Sequence, residues 1–188
     1  DVYLNRAPFN HFFYRTKTLH FLDHLFLISE HGKAYITKKY SWLEKYCEVS
    51  RLGTSDYNAL NSGSVDGVFR IISVSAIRPI KRLHLLIRGI AHAALKRPEQ
   101  LFGWNHFGTG PLVEEIRLLA SKNLPANVSW HVHGNIPNEE VMRFYQEKPI
   151  DLFANVSASE GIPVSIMEAT SFGIPVMATA VGGVPEIV

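Results

Sequence analysis

From residue 68 onward the chain alternates between two periodicities, and this constrains the fold more than any other feature. Apolar, strand-like runs at 68–75, 101–107, 128–133, 150–156 and 175–180 are separated by helical patterns at about 80–96, 111–122, 138–147 and 163–172. Strands separated by helix-length connections cannot pair as hairpins. They pair in parallel, through right-handed crossovers that lay helices against the sheet. The expected fold class is therefore α/β: a Rossmann-like, doubly wound parallel sheet with helices on both faces. Leu83, Leu86, Ile87 and Ile90 have the three-four spacing of a buried helix face. Pro111 suits a first helical turn, and Asn138 suits an N-cap with Val141, Phe144 and Tyr145 behind it. Ligands of such sheets bind at the carboxyl ends of the strands. The loops near 76–81, 107–110, 134–137, 157–163 and 180–184 are thus where a site is expected.

The first third is less regular. Residues 24–29 form a short apolar run, Glu30 to Lys39 reads as a helix capped by Ser29 with Gly32 weakening its first turn, and 47–51 reads as a strand closed by Gly53. Residues 54–67 are dense in turn formers and read as a linker. A length of 188 residues allows one domain, or one domain and a piece of another. With 46% hydrophobic and 11% aromatic residues the chain has material for a core, which excludes disorder. Cys47 is the only cysteine, so neither an internal disulfide nor a cysteine-rich metal site is expected. A net charge of +2 makes no electrostatic case for nucleic acid. Asp23, His24 and Ser29 interrupt the best membrane-span candidate, and no signal peptide opens the chain. These features point to a soluble, cytoplasmic protein. The start without Met and the stop after Gly182-Gly183 read as cuts, so a fragment is expected.

The stretch richest in chemistry is Ser157-Ala-Ser-Glu160-Gly161-Ile162-Pro163-Val164-Ser165-Ile166-Met167-Glu168-Ala169. A strand ends in small residues, a carboxylate and a glycine follow, and a helix begins around Pro163. Backbone N–H groups at a helix start can hold an anion such as a diphosphate. Gly161 permits close approach of a ligand, and two carboxylates suit the hydroxyls of a sugar or ribose. Spacing alone decides little, because Glu139 and Glu147 are also eight apart and read as a solvated helix face. His131 and His133 alternate on a strand, but no third ligand has suitable spacing, so no metal is expected. Gly108-Thr-Gly110 reads as a tight turn lining the crevice. Trp104 and Trp130 read as core, and His106 as a structural or surface group.

Glu160, seven residues, then Glu168, followed by Phe172-Gly173-Ile174-Pro175 and Gly182-Gly183-Val184-Pro185-Glu186, resembles the donor domain of the group 1 glycosyltransferases (glycosyltransferase family 4, GT-B fold). The resemblance covers about 68–188, and 20–53 more loosely. It implies a donor-binding domain at 68–188, incomplete at its C-terminus, a linker at 54–67, and the end of an acceptor domain at 1–53. It also implies a retaining transferase that moves a sugar from a nucleotide diphosphate sugar to an acceptor hydroxyl in glycan or surface polysaccharide synthesis. Glu168 would take the ribose hydroxyls and Glu160 those of the donor sugar, while Gly161, Ile162, Pro163 and Val164 would contact sugar and phosphate. Lys81 would bind the diphosphate, making it and Glu160 the catalytic residues, with charge on the leaving group stabilised by the cation. Gly134, Asn135 and Ile136 match the base-contacting loop. The family's arginine five residues before that lysine is Ala76 here, so either Arg78 or Arg82 substitutes for it or the second cation is missing.

No cofactor and no metal are implied, since Lys81 and helix amides take the part of a divalent ion. UDP is the leading nucleotide, with GDP and ADP as alternatives. The acceptor would be a glycan or a lipid-linked molecule, with no nucleic acid as partner. Lipid-linked acceptors leave peripheral contact with the inner face of the plasma membrane open, although Lys33, Lys38 and Lys39 make only a modest basic face. The Gly182–Gly183 loop with Glu186 would offer N–H groups to phosphate or acceptor. The fragment is expected to bind nucleotide and to transfer little or no sugar alone. A sugar-nucleotide epimerase, a phosphorylase-like protein and a non-catalytic binding subunit of the same fold are the competing readings.

Overall fold

A computed structural model describes residues 15–188, with two compact units. Part of the expected 1–53 segment, residues 1–14, lies outside the described residues.

One unit comprises the described residues up to Leu52 together with Ser159–Ile162 and Ala180–Ile187. It contains α1 (Arg15–His20), β1 (Leu25–Leu27), α2 (Glu30–Lys39), a 3-10 turn (Ser41–Tyr46) and β2 (Cys47–Val49). β1 and β2 pair in parallel across α2, with Leu43 of the 3-10 turn fully buried. Ser29 caps α2 as expected: its Oγ accepts from the Gly32 amide at 2.9 Å. Gly32 suits that approach, because a Cβ there would lie 3.0 Å from the same oxygen.

The other unit holds Gly53–Ala158 and Pro163–Thr179. Its sheet is wholly parallel: β3 (Val68–Val74), β4 (Leu101–Phe107), β5 (Val128–Gly134), β6 (Leu152–Asn155) and β7 (Val176–Ala178), in the order β5-β4-β3-β6-β7. The connecting helices are α3 (Leu83–Lys96), α4 (Val113–Asn123), α5 (Asn138–Glu147) and α6 (Val164–Ser171). Alternate strand residues share a face. Ile71, Trp104, Val132 and Ala154 meet Leu86, Ile90, Ile116 and Ala120 of α3 and α4 in one core. On the opposite face Phe107 meets Phe144 of α5 at 5.0 Å, and Tyr145 meets Phe172 at 5.4 Å. The expected doubly wound sheet is therefore present.

Boundaries differ where turn chemistry intervenes. α3 starts at Leu83 rather than 80, because Pro79–Lys81 forms a 3-10 turn and Arg82 follows in the left-handed region (φ 49°, ψ 37°). Pro111 lies in the turn before α4, whose cap is Leu112. Asn138 is the first residue of α5, not its cap, since Pro137 holds the extended cap position. Residues 54–67 carry no regular element, yet Asn61 ties them down. Its Nδ2 donates to the Tyr145 and Lys148 carbonyls, both at 2.7 Å, and its Oδ1 accepts from Gly63 and Ile150 amides.

A polar relay lies inside the first core. Trp104 Nε1 donates to Ser73 Oγ at 3.0 Å, and Ser73 Oγ lies 2.9 Å from His106 Nδ1. The indole is donor-only, so Ser73 Oγ accepts from it, and the hydroxyl either donates to Nδ1 or accepts from it according to the imidazole tautomer. Burial pushes His106 down to about 4, against an upward pull from the Ser75 backbone. An unfolded histidine titrates near 6.5, so between 6.5 and 4 the unfolded chain takes up a proton that the folded chain refuses. Stability is therefore expected to fall as pH drops from 6.5 to 4, by on the order of 3 kcal/mol from this group. Urea titrations followed by tryptophan fluorescence should show that slope, flattened in His106→Gln.

Candidate functional site

The loops after β3, β4 and β5 enclose a cavity of about 290 Å³. Its walls include Ser75 and Ala76 after β3, Phe107 to Thr109 after β4, and Asn135, Ile136 and Asn138 after β5. Two glycines make this rim. Gly108 (φ 136°) donates its amide to the Gly134 carbonyl at 2.7 Å, and Ile77 donates to the Thr109 carbonyl at 2.9 Å. A Cβ on Gly108 would overlap the Ser75 carbonyl, and one on Gly110 would overlap the backbone of Ile77. The Gly-x-Gly turn lines the crevice, as its sequence indicates, because only glycine lets the two loops approach this closely.

Phe107 is backed by His133, which stacks on it at 4.2 Å and 7°. His133 Nε2 lies 2.8 Å from Asn105 Oδ1, and burial, then His131, lowers its pKa. The histidine pair thus buttresses an aromatic wall. Among the described residues no group of three His, Cys, Asp or Glu side chains is placed to hold a metal ion.

Glu168 stands on α6, half-buried, and its Oε1 accepts from Asn138 Nδ2 at 3.0 Å. That bond joins the carboxylate to a residue of the cavity wall, a role that the sequence reading of Asn138 as a cap did not include. No side chain caps α6 at Pro163, which leaves Val164 at the start of the helix with the N–H groups of the first turn. Glu139 and Glu147 are exposed on α5, as expected of a solvated face.

The strand order reverses at β3, so the loops after β3 and β6 diverge at a topological switch point. Lys81 lies in the first of these loops, half-buried. Ala158 in the second donates to the Ile80 carbonyl at 2.8 Å. Arg82 turns its guanidinium onto the exit of β6, with Nε donating to the Val156 carbonyl at 2.7 Å and Nη2 to that of Ser157 at 2.9 Å. Arg78 and Ala76 are exposed.

Glu160, Gly161 and Ile162 belong to the smaller unit. Gly183 donates its amide to the Gly161 carbonyl at 3.0 Å, and a Cβ on Gly182 (φ 57°) would overlap the Glu160 carbonyl. Glu186 caps α2: Oε1 accepts from the His31 amide at 2.9 Å and Oε2 from the Glu30 amide at 3.0 Å, and Arg51 pairs with Oε2 at 2.8 Å. The His31 amide is the largest of the causes that hold this carboxyl below the usual carboxylate range.

Residues 60–188 match the sequence profile of the family described as glycosyl transferases group 1. The chain belongs to that family. This group 1 glycosyl transferase chain is 34% identical over 122 residues to the putative colanic acid biosynthesis glycosyltransferase WcaL of Escherichia coli K12, a match covering 63% of this chain and 29% of WcaL. It is 30% identical over 147 residues to the amylovoran biosynthesis glycosyltransferase AmsK of Erwinia amylovora, covering 74% of this chain and 35% of AmsK. Among solved structures, it superposes on a TarM variant of S. aureus in complex with fondaparinux, alpha-GlcNAc-glycerol and UDP, with a TM-score of 0.73 and 16% identity over 94% of this chain and 34% of that one. This likeness concerns the fold. The group 1 chain spans about a third of the length of the curated relatives it matches.

The Glu186 cap has a measurable signature. Because its pKa is lowered, its stabilisation is present above the ordinary carboxylate range and is lost as pH falls through and below it. Glu186→Gln is expected to speed hydrogen exchange at the Glu30 and His31 amides at neutral pH. Acidification should lower the protection factors of those two amides, taken relative to their slower intrinsic exchange in acid, in the wild-type chain and add little in the variant.

Proposed function

We propose that this chain is the nucleotide-sugar-binding part of a retaining glycosyltransferase of surface polysaccharide synthesis. One observation carries the reading: a cavity at the carboxyl ends of β3, β4 and β5, with Glu168 hydrogen-bonded to its wall through Asn138. The nucleobase enters that cavity, where peptide groups from Gly134 to Ile136 meet its edge. Glu168 takes the ribose hydroxyls, since its second oxygen keeps lone pairs for a diol. The diphosphate lies against the uncapped first turn of α6 and Lys81. Both stabilise the charge that builds on the leaving diphosphate, so the reaction as proposed runs without a metal.

For Glu160, Gly161 and Ile162 the assignment rests on the sequence match. Glu160 is given the donor-sugar hydroxyls and its neighbours the sugar-phosphate contact. Residues 1–53 are assigned to an acceptor-side domain, 54–67 to a linker and 68–188 to the donor domain. UDP is the leading nucleotide, supported by its presence in the TarM complex. The names of WcaL and AmsK support an acceptor in a surface polysaccharide. Sugar transfer is assigned to the longer arrangement that these relatives have, and donor binding to this chain. Among the described residues no helix is long and apolar enough to cross a membrane. The proposed place of work is the cytoplasm, with peripheral membrane contact where an acceptor is lipid-linked.

Isothermal calorimetry with UDP, GDP and ADP tests the reading. At least one should bind, with UDP tightest, and a folded chain that binds none of them overturns it. Glu168→Ala is expected to weaken the nucleotide that binds by about 1–3 kcal/mol, the range for leaving a polar partner unmatched. Unchanged affinity would remove Glu168 from the ribose. Lys81→Ala should weaken UDP while leaving uridine unaffected.

A further inference from the structure

Arg82 occupies a conformation that glycine adopts freely and arginine does not, with φ 49° and ψ 37°. Among the described residues only Asn58 shares a positive φ without being glycine, and asparagine tolerates that region. A residue of this kind persists where its surroundings over-determine it, and such places cluster at functional sites. Here the surroundings are explicit. Nε and Nη2 donate to the Val156 and Ser157 carbonyls, the last strand residues being Leu152–Asn155. The Ser157 carbonyl also accepts from Thr179 Oγ1 at 2.6 Å, and the Ile80 carbonyl from the Ala158 amide. One side chain therefore stitches the loop after β3 to the loop after β6, across the point where the strand order reverses. The flat guanidinium offers two near-parallel donors from one edge to two successive carbonyls, a fixed fork that an ammonium cannot copy.

We propose that Arg82 is a positioning residue for the diphosphate subsite. It locks the Pro79–Lys81 turn to the β6 exit and so fixes where Lys81 stands. Its charge is turned to main-chain carbonyls, and it acts on the ligand through Lys81. This rests on the nucleotide-binding reading above, and it adds a reason for an arginine at a backbone position made for glycine.

The test uses Arg82→Gly and Arg82→Lys, with calorimetry of UDP and uridine on each and thermal unfolding alongside; GDP with guanosine and ADP with adenosine are run in parallel. Arg82→Gly keeps the backbone conformation without strain, so the chain should stay folded. It is expected to lose tenfold or more in UDP affinity with uridine unchanged. Arg82→Lys should show the same selective loss, because it keeps the charge without the fork. Retained UDP affinity in Arg82→Lys, with loss in Arg82→Gly, would make Arg82 a direct phosphate cation and overturn the proposal. Equal losses for UDP and uridine would reduce it to a general structural tie, and unchanged affinities in both variants would dismiss it while leaving the site reading intact. A wild-type chain that binds no diphosphate overturns the site reading and this proposal together.

Discussion

β3 has a parallel neighbour on each side, β4 through seven register pairs and β6 through two. The chain runs outward from β3 to β4 and β5, then returns to its other flank for β6 and β7. Successive right-handed crossovers in opposite directions put α3 and α4 on one face and α5 and α6 on the other. At the reversal two adjacent strands send their exits apart, and backbone amides and carbonyls there lack a strand to pair with. The candidate site consists largely of what satisfies or exploits those groups. Arg82 answers the Val156 and Ser157 carbonyls, Ala158 answers Ile80, and the cavity opens beside them, after β3, β4 and β5.

Much of this scaffold is legible in the sequence because it follows period and punctuation. β4 at Leu101–Phe107 and α5 at Asn138–Glu147 have the expected bounds, since each is a clean apolar pattern ending in a turn former. The start of α3 was less legible: Leu83, Leu86 and Ile87 show the buried face, but a left-handed arginine has no compositional signature. Glu168 is legible through its motif. Its partner is not, because a cap and a hydrogen bond 30 residues away ask for the same asparagine at the same position. Glu186 is harder still. Its capping of α2 spans 156 residues, and nothing local distinguishes a carboxylate that meets a distant helix end from one that meets water.

Electrostatic roles follow burial more than formal charge. His106 is fully buried, and it is that burial which lowers its pKa, while Ser73 and Trp104 complete the polar relay at its Nδ1. Burial, then His131, lowers the pKa of His133, which serves as a flat surface against Phe107. Glu186 keeps its charge because two amides and an arginine converge on it. Packing thus explains His133 on its strand, and capping explains the glutamate after the Gly182–Gly183 loop.

The glycine rim of the cavity has a consequence for how such a site changes over time. Where Ser75 to Ile77 meet Gly108 and Gly110, the wall is made of peptide groups, whose donors and acceptors are the same whatever side chains flank them. Neighbouring positions can therefore drift without altering the wall, whereas loss of either glycine removes it at once. Tolerance at this rim is a step, not a slope. Any drift in the character of the cavity would then be carried by the polar side chains that line it, Ser75, Thr109, Asn135 and Asn138.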